Sequence, residues 1–343
     1  MRAALYTGRR VLELVDAPKP VPGPGEIVVK VVACGVCHTD LHYTDHGVPT
    51  AKKPPIILGH EASGLVDEVG PQVTAWKPGD RVLLPAVLTC GFCEMCRIGR
   101  ENICLNMAMF GNHIEGAFAE YVKAPAKDVI ALPAGLPLRE ACVIADAGST
   151  PYHAVTHRAK VRPGERVVVF GCGGVGINTV QFAAAAGARV IAVDLAQRKL
   201  EYAREFGAGD VVNAGEEKDV VKKLRALTSG GADVAFECIG SAVTIKQAMD
   251  SVRRGGRTCI VGFCDKPVEL NAGRLMFYEQ EIIGSLGCRP VDYPRIIEMA
   301  LAGRVRIAPL VTGRFPLEQI NDAFDALRAG AGLRNIVTMT NDT

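Results

Sequence analysis

The stretch RVVVFGCGGVGINTVQFAAAAGA, residues 166–188, reads as a buried strand, a glycine-rich turn and a helix. Its turn, GCGGVG, fits the pattern G-x-G-x-x-G of dinucleotide-binding folds. In that pattern Gly171 permits the tight turn, Gly173 lets the backbone approach a pyrophosphate, and Gly176 permits close packing of helix on strand. The amide groups expected to contact the phosphates are those of Gly171, Gly173, Gly174, Val175 and Gly176. A purely structural glycine turn is the alternative interpretation.

The next apolar run, RVIAVD, is predicted to be a second strand that ends in Asp194. A carboxylate at this point accepts hydrogen bonds from the adenosine ribose hydroxyls. Because the same negative charge would repel a 2′-phosphate, the sequence favours NAD over NADP. Lys199, five residues further on, could reach that ribose, although a lysine at the start of a helix is usually solvated.

The pattern of apolar runs and turn residues differs between two parts of the chain. Up to about residue 145, short apolar runs such as EIVVKVVA alternate with turn signals such as PGPGE, which predicts an irregular, strand-dominated domain. From RVVVF to EIIGSLGC, strands alternate with helices, which predicts βαβ units and a parallel sheet. The 343 residues are too many for one typical core. We therefore expect two domains.

Composition excludes several classes of function. The formal charge is +2, aromatic residues make up 6% and no basic run is present, which argues against a nucleic-acid partner. The N-terminal residues lack the apolar core of a signal peptide, and no apolar run is long enough to span a membrane. We expect a cytoplasmic protein with no membrane partner. Six of the twelve cysteines are solitary and are expected to be reduced, packed thiols: Cys142, Cys172, Cys238, Cys259, Cys264 and Cys288.

Four further cysteines lie in CGFCEMCRIGRENIC, residues 90–104. The thiolates of Cys90, Cys93, Cys96 and Cys104 can close a tetrahedron with no open position, which is typical of structural zinc. An iron–sulfur cluster is the competing metal site, and plain packing of the thiols is a third possibility.

The remaining two cysteines lie in ACGVCHTDLHYTDHG, residues 33–47. Cys34 and Cys37 form a C-x-x-C motif, which could be a redox pair, but the βαβ context of such pairs is missing here. Alternatively, Cys37 is a metal ligand together with His60 of GHE and Asp146 of IADAGSTPY. A thiolate, an imidazole and a carboxylate are suitable ligands for a catalytic zinc with one open position. From the residues alone, a packed core histidine remains the alternative for His60.

Taken together, GVCHTD, GHE, the four-cysteine segment, GAFAEY and GCGGVG with its following aspartate occur in this order along essentially the whole chain. In this they resemble the zinc-dependent alcohol dehydrogenases of the medium-chain dehydrogenase/reductase superfamily. The resemblance implies an α/β fold with a GroES-like, β-rich catalytic domain (residues 1–146, with a structural zinc lobe at about 88–106, and a C-terminal segment, 291–343). A Rossmann NAD-binding domain would span residues 147–290. The implied reaction transfers hydride between a small alcohol and NAD, giving an aldehyde or ketone, with one catalytic and one structural zinc per chain.

The resemblance also implies roles for single residues around the catalytic zinc. Cys37 and His60 would be zinc ligands, Asp40 would orient His60, and Glu61 would be an exchanging ligand behind or beside the metal. Asp146 departs from the commonest pattern, because many relatives have cysteine there, although some bacterial relatives use aspartate. If Asp146 were only a helix N-cap, Glu61 would be the third protein ligand.

A second group of roles concerns the proton and the coenzyme. By the same resemblance, Thr39 takes the alcohol proton and passes it through the nicotinamide ribose to His42, which releases it to solvent. From the residues alone, Thr39 and His42 would be a polar helix start. Further coenzyme contacts are expected near the pyrophosphate, the nicotinamide and a phosphate, from His38, Thr150 and Arg334 respectively.

Two other functions and two further properties stay open at this point. A zinc-free reductase of the same superfamily is disfavoured by the intact cysteine segment, and a non-catalytic NAD-binding redox sensor would need a Cys34–Cys37 disulfide. ADAGSTPY is also similar to relatives that oxidise cyclic hydroxyacyl-CoA thioesters. Bacterial relatives of this length are usually tetramers, and EIIGSLGC could pair across a dimer, so a homotetramer or homodimer is expected.

Overall fold

The computed structural model describes residues 1–339. In chain order its strands are β1 (Arg2–Tyr6), β2 (Glu13–Asp16), β3 (Glu26–Val36), β4 (Ile56–Ile57), β5 (Ala62–Val69), β6 (Arg81–Leu84), β7 (Val87–Leu88), β8 (Ala108–Met109), β9 (Tyr121–Pro125), β10 (Ile130–Ala131), β11 (Arg166–Phe170), β12 (Arg189–Asp194), β13 (Asp210–Asn213), β14 (Ala232–Glu237), β15 (Val252–Ile260), β16 (Glu281–Gly284), β17 (Val311–Pro316) and β18 (Arg334–Thr338). Its α-helices are α1 (His38–Thr44), α2 (Glu94–Arg97), α3 (Ser149–His153), α4 (Gly174–Ala185), α5 (Gln197–Glu205), α6 (Val220–Leu227), α7 (Ala242–Ser251), α8 (Ala272–Phe277), α9 (Tyr293–Leu301) and α10 (Ile320–Arg328).

The chain forms two compact units. The first unit contains Met1–Ser149 together with the segment from Gly287 onward, and the second unit contains Thr150–Leu286. The boundaries expected from the sequence, after residues 146 and 290, differ from these by a few residues, and the domain assignment stays a prediction. Across residues 1–339, no helix combines the length and the apolar character needed to cross a bilayer.

The first unit is built on β3, the longest of its strands. β3 lies between β5 and β18 in a sheet ordered β10-β6-β5-β3-β18-β17, and it also pairs with β9. Its sequence, EIVVKVVACGV, is almost continuously apolar because most of its residues are buried on both faces of the sheet. The apolar stripe of α10, which includes Ile320 and Phe324, packs into the same core.

A long-range strand pairing brings the C-terminal segment to the start of α1. β18 runs antiparallel to β3 with Asn335 opposite Val36. Arg334, the first residue of β18, therefore lies beside the end of β3 that leads into Cys37. This register places residues from both ends of the chain in one site.

The second unit is a parallel sheet with helices between its strands. The order β13-β12-β11-β14-β15-β16, with every neighbouring pair parallel, is the 3-2-1-4-5-6 order of a doubly wound dinucleotide fold. Every residue of β14, ADVAFE, is buried, as expected for a strand covered on both faces. The predicted α/β fold class, a strand-dominated unit plus a Rossmann sheet, is confirmed.

Candidate active site and cofactor sites

Three side chains from distant segments of the first unit converge on one point. Cys37 lies between β3 and α1, His60 precedes β5, and Asp146 follows a 3₁₀ turn at Glu140–Ala145. Asp146 Oδ2 lies 3.5 Å from Cys37 Sγ and 3.6 Å from His60 Nε2. The three ligand-type atoms all lie within 4.8 Å of one another. A thiolate, an imidazole and a carboxylate so close together form a donor set for a metal such as zinc.

The surroundings of His60 test whether a metal fits. His60 is 1% exposed, and among the described residues neither of its ring nitrogens has a hydrogen-bond partner. An orphaned buried nitrogen is costly, whereas coordination of a metal would satisfy it. Burial by itself would lower the pKa of His60, but Asp40, Asp146 and Cys37 raise it well above its usual value. The site therefore favours a positive charge, and the residues fit a bound divalent cation.

Asp40 connects two of these segments from a fully buried position. Its Oδ2 accepts a hydrogen bond from the backbone N–H of Cys37 at 2.9 Å, which fixes the first turn of α1. Its Oδ1 lies 3.5 Å from His60 Nδ1, on the opposite side of the ring from Asp146. A carboxylate behind a ligating imidazole sets the ring orientation. This geometry fits the positioning role expected for Asp40.

Glu61 is buried beside these residues, but its carboxylate is held elsewhere. Arg334 Nε donates to Glu61 Oε2 at 2.8 Å, Arg334 Nη2 lies 2.7 Å from the same oxygen as an ion-pair contact, and the backbone N–H of Ala147 donates to Oε1 at 2.7 Å. Burial raises the pKa of Glu61 to about 7, and the positive charge of Arg334 opposes that rise. A Cβ on Gly35 would lie 1.7 Å from Oε2, so the carboxylate occupies space that only glycine leaves open.

Arg334 was expected to contact a phosphate, and the structure gives its guanidinium a different set of neighbours. Arg334 is 5% exposed, bonded to Glu61, and its Nη2 lies 3.9 Å from Asp146 Oδ2. The Glu61–Arg334 pair was missed from the sequence. No local sequence pattern indicates this ion pair, because its two residues are 273 positions apart.

The four-cysteine segment forms a compact cluster around α2. Its Sγ atoms are separated by 3.5 Å (Cys93–Cys96 and Cys90–Cys104), 3.8 Å (Cys93–Cys104) and 3.9 Å (Cys90–Cys96). Four sulfurs about 2.3 Å from one zinc lie about 3.8 Å apart along the edges of the tetrahedron. The cluster therefore has the dimensions of a closed zinc site.

Amide N–H groups around this cluster stabilise negative charge on its sulfur atoms. Burial opposes ionisation of Cys90, but N–H groups of Phe92 and Cys93 donate to its sulfur and lower its pKa to about 6. Asn106, which the sequence did not single out, donates its backbone N–H to Cys104 Sγ at 3.3 Å and its side-chain amide to Cys90 Sγ at 3.6 Å. Such donors stabilise thiolates, the form in which cysteine binds metal.

The glycine-rich turn of the second unit has the geometry that the motif requires. Gly171 has a φ of +88°, and a Cβ on Gly176 would lie 1.7 Å from the carbonyl oxygen of Gly171. Around Gly173 the space is open, and α4 begins at the next residue. Asp194 Oδ2 accepts from the N–H of Cys172 at 2.8 Å, so its carboxylate adjoins the turn. A helix N-terminus beside an open glycine turn is a site for a pyrophosphate.

The other predicted residues are distributed over both units. Thr39 Oγ1 lies 3.7 Å from Cys37 Sγ, next to the converging ligands. His42 lies one turn further along α1, where its Nδ1 is 3.0 Å from Nδ1 of His46. His38 is exposed at the start of α1. Thr150 and Lys199 are half-buried in the second unit.

Comparisons with known proteins agree with this geometry. Residues 23–134 match the family model of the alcohol dehydrogenase GroES-like domain, and residues 174–302 match that of zinc-binding dehydrogenases. An alcohol dehydrogenase of Geobacillus stearothermophilus is 36% identical over 332 residues, which cover 96% of this chain and 97% of that protein. The chain belongs to the zinc-dependent alcohol dehydrogenase family. A sorbitol dehydrogenase of Bacillus subtilis (strain 168) is 35% identical, over 95% of this chain and 93% of its own. The crystal structure of an NAD-dependent alcohol dehydrogenase superposes with a TM-score of 0.92 at 31% identity, over 99% of this chain and all of that one.

Family membership confirms the predicted activity and the GroES-like character of the first unit. As a member of this family, the chain is a zinc-dependent oxidoreductase that acts on alcohols, and NAD is the coenzyme expected for the family. The redox-sensor alternative finds no support in the geometry. Cys34 is completely buried in the core, and burial raises the pKa of its thiol, so Cys34 is a poor partner for a reversible disulfide.

Proposed function

We propose that Cys37, His60 and Asp146 hold the catalytic zinc of this alcohol dehydrogenase and leave a fourth position for the substrate oxygen. The observation that carries the proposal is the meeting of their three ligand atoms within 4.8 Å around a buried histidine whose ring nitrogens lack hydrogen bonds. One thiolate and one carboxylate cancel the two charges of zinc, so the site as a whole is neutral. Catalytic zinc sites commonly combine three protein ligands with one open position.

In this proposal Asp146, not Glu61, is the third protein ligand. Glu61 already accepts a charge-assisted hydrogen bond from Arg334 Nε and forms an ion pair with the same guanidinium. Asp146 Oδ2 is 3.5–3.6 Å from the other two ligand atoms. A carboxylate is a harder ligand than a thiolate, so this site should be a somewhat stronger Lewis acid than one with two cysteines.

The chain's own residues then handle the proton. A zinc ion held by Cys37, His60 and Asp146 would acidify the hydroxyl of the alcohol, and bound NAD would supply the hydride acceptor. Thr39 Oγ1 lies 3.7 Å from Cys37 Sγ, and this hydroxyl would receive the alcohol proton while it passes its own proton on. His42, one turn further along α1, would receive the relayed proton and release it to solvent, a role that suits imidazole because it ionises near neutral pH.

Two zinc ions per chain and a preference for NAD complete the proposed cofactor set. The structural zinc is assigned to Cys90, Cys93, Cys96 and Cys104, supported by sulfur separations of 3.5–3.9 Å. The carboxylate of Asp194 beside the glycine turn favours a free ribose hydroxyl over a 2′-phosphate. His38, Thr150, Lys199 and Arg334 stay proposed coenzyme contacts, of which Arg334 is the least supported because Glu61 engages it.

The substrate, the assembly and the location are proposed more broadly. Small primary, secondary or aromatic alcohols are the leading substrates, and a cyclic hydroxyacyl-CoA thioester is the alternative. A homotetramer or homodimer is expected. A cytoplasmic location agrees with the twelve cysteines, none of which is in a disulfide within residues 1–339.

The decisive experiment measures zinc per chain together with NAD reduction over a panel of alcohols. Wild type should contain two zinc ions. Asp146→Ala should lose one zinc and the activity, whereas Asp146→Cys should retain both, because a thiolate can replace the carboxylate. Glu61→Gln is the matched control and should keep two zinc ions.

Two results would contradict the assignment. Two zinc ions and ordinary turnover in Asp146→Ala, with loss of one zinc in Glu61→Gln, would make Glu61 the third ligand. One zinc ion in the wild type, without turnover of any alcohol, would refute the catalytic site itself.

A further inference from the structure

The loop that follows α1 carries a second histidine facing His42. The Nδ1 atoms of His42 and His46 lie 3.0 Å apart, and their ring centroids are 5.2 Å apart. His46 is exposed and His42 is half-buried, so an ion in solution can reach this pair from the surface. Neither of the proposed zinc sites includes His46.

The separation of the two nitrogens indicates which coordination geometry they could support. Two imidazole nitrogens bound to one ion at about 2.1 Å lie about 3.0 Å apart at a right angle and about 3.4 Å apart at the tetrahedral angle. The observed 3.0 Å therefore matches neighbouring corners of a square or an octahedron. Cu²⁺ and Ni²⁺ prefer square-planar or tetragonal nitrogen and oxygen environments. The same distance suits an N–H···N hydrogen bond between complementary tautomers, which the pair makes without an ion.

The acidic residue next to His46 does not add a third protein ligand. Asp45 Oδ1 accepts from Arg328 Nη2 at 2.8 Å and from Thr44 Oγ1 at 2.7 Å, while its Oδ2 accepts from Arg328 Nε at 2.7 Å. An ion held by the two histidines would therefore complete its shell with water. Such a site binds an ion reversibly when the ion is supplied.

We propose that His42 and His46 form a bidentate surface site for a nickel- or copper-type divalent ion, distinct from both zinc sites, and that its occupation slows turnover. The binding part stands on the geometry alone. The inhibitory part rests on the proposed role of His42 in proton release. A relaying imidazole must accept the proton on one nitrogen and release it from the other, and an ion on Nδ1 occupies one of them.

The experiment titrates NiCl₂ into the zinc-loaded enzyme by calorimetry, because Ni²⁺ does not oxidise the thiols as Cu²⁺ would. Wild type is compared with His46→Gln and with His113→Gln, which removes another exposed histidine of the first unit. Loss of an outer partner of a metal ligand already costs about 10–100-fold in affinity, so loss of His46 itself should weaken Ni²⁺ binding at least about tenfold. His113→Gln should bind like wild type. In parallel, Ni²⁺ should lower the kcat of alcohol oxidation in wild type and His113→Gln but not in His46→Gln.

The outcomes separate the two parts of the proposal. Equal Ni²⁺ affinity in wild type and His46→Gln, or no Ni²⁺ binding by wild type, would overturn the site and leave only a hydrogen-bonded pair. Binding that His46→Gln abolishes, without inhibition of wild type, would uphold the site and overturn the relay role of His42. Neither result depends on which residues hold the catalytic zinc, which the zinc content of the Asp146 variants tests separately.

Discussion

Gly35 is a position at which a single methyl group should disrupt a buried ion pair. A Cβ added to Gly35 would lie 1.7 Å from Glu61 Oε2 and 2.7 Å from Glu61 Cδ. Ordinary van der Waals contact begins at 3.4 Å, so Glu61 Oε2, at 1.7 Å from the added Cβ, would have to move to about twice that distance. Gly35 lies within β3, paired on one side with Ile336 of β18, so the backbone has little freedom to yield.

The retreat would separate Glu61 from its partners. The hydrogen bond from Arg334 Nε at 2.8 Å, the ion-pair contact of Arg334 Nη2 at 2.7 Å and the hydrogen bond from the Ala147 N–H at 2.7 Å all end on this carboxylate. Breaking a buried ion pair costs about 3–5 kcal/mol, because a charge is left without compensation. We therefore expect Gly35→Ala to lower the free energy of unfolding of the first unit by about that amount.

Two measurements test this expectation. Denaturant titration at matched zinc content should show an earlier unfolding transition for Gly35→Ala. Hydrogen exchange of the Ala147 amide should accelerate by about a hundredfold or more, since about 1.4 kcal/mol corresponds to tenfold. The control is Gly284→Ala in β16, where an added Cβ meets nothing within 4 Å. If both variants unfold alike and the Ala147 amide keeps its protection, the carboxylate has room to move and the reasoning is wrong.

Three further predictions concern the ion pair at the end of α1, the coenzyme and the core. The hydrogen bond from Arg328 is the largest of the effects that lower the pKa of Asp45 to about 2. The pair therefore contributes its full stability above pH 3.8, the ordinary pKa of an aspartate, and loses it as the pH falls toward 2. Asp45→Asn should therefore cost about 1 kcal/mol at neutral pH and flatten the acid limb of the stability profile; an unchanged profile would contradict this. Asp194→Asn should reduce the ratio of kcat/KM with NAD to kcat/KM with NADP by at least about tenfold, because like charges placed side by side cost several kcal/mol. An unchanged ratio would contradict the role of Asp194 in selecting NAD. Phe324→Ala, at a side chain 1% exposed, should cost about 3–5 kcal/mol in denaturant titration, and a cost below about 1 kcal/mol would mean that α10 does not anchor the core.

The features that the sequence predicted correctly are local ones. RVVVF and ADVAFE appear as continuous apolar runs because their strands are buried on both faces, and the alternation with helices is visible within a few dozen residues. The four cysteines fall within fifteen residues, so their spacing alone indicates that the thiols can cluster, and the structure does bring their Sγ atoms together, whereas the zinc itself stays a prediction. The glycine turn is equally local, since the positive φ of Gly171 and the close approach at Gly176 belong to one stretch.

The features that the sequence could not predict depend on register between distant strands. Arg334 is one arginine in LRNIV, and only the pairing of β18 with β3 brings it to Glu61. The resemblance assigned it to a phosphate, whereas its nearest charged neighbours are two carboxylates of the first unit. His46 was missed for a related reason. The sequence shows that His46 follows His42 by four residues, but whether their Nδ1 atoms meet depends on the backbone path after α1.

The same long-range contact bears on the third zinc ligand, which spacing alone left open between Asp146 and Glu61. For Glu61 to bind zinc, its carboxylate would have to give up Arg334 and leave a guanidinium that is 4% exposed without its partner. Uncompensated burial of a charge costs several kcal/mol, which a new bond to zinc would first have to offset. Asp146 faces no such cost, because its Oδ2 already lies 3.5 Å from Cys37 Sγ and 3.6 Å from His60 Nε2. Because Arg334 already engages the carboxylate of Glu61, Asp146 is favoured as the third zinc ligand.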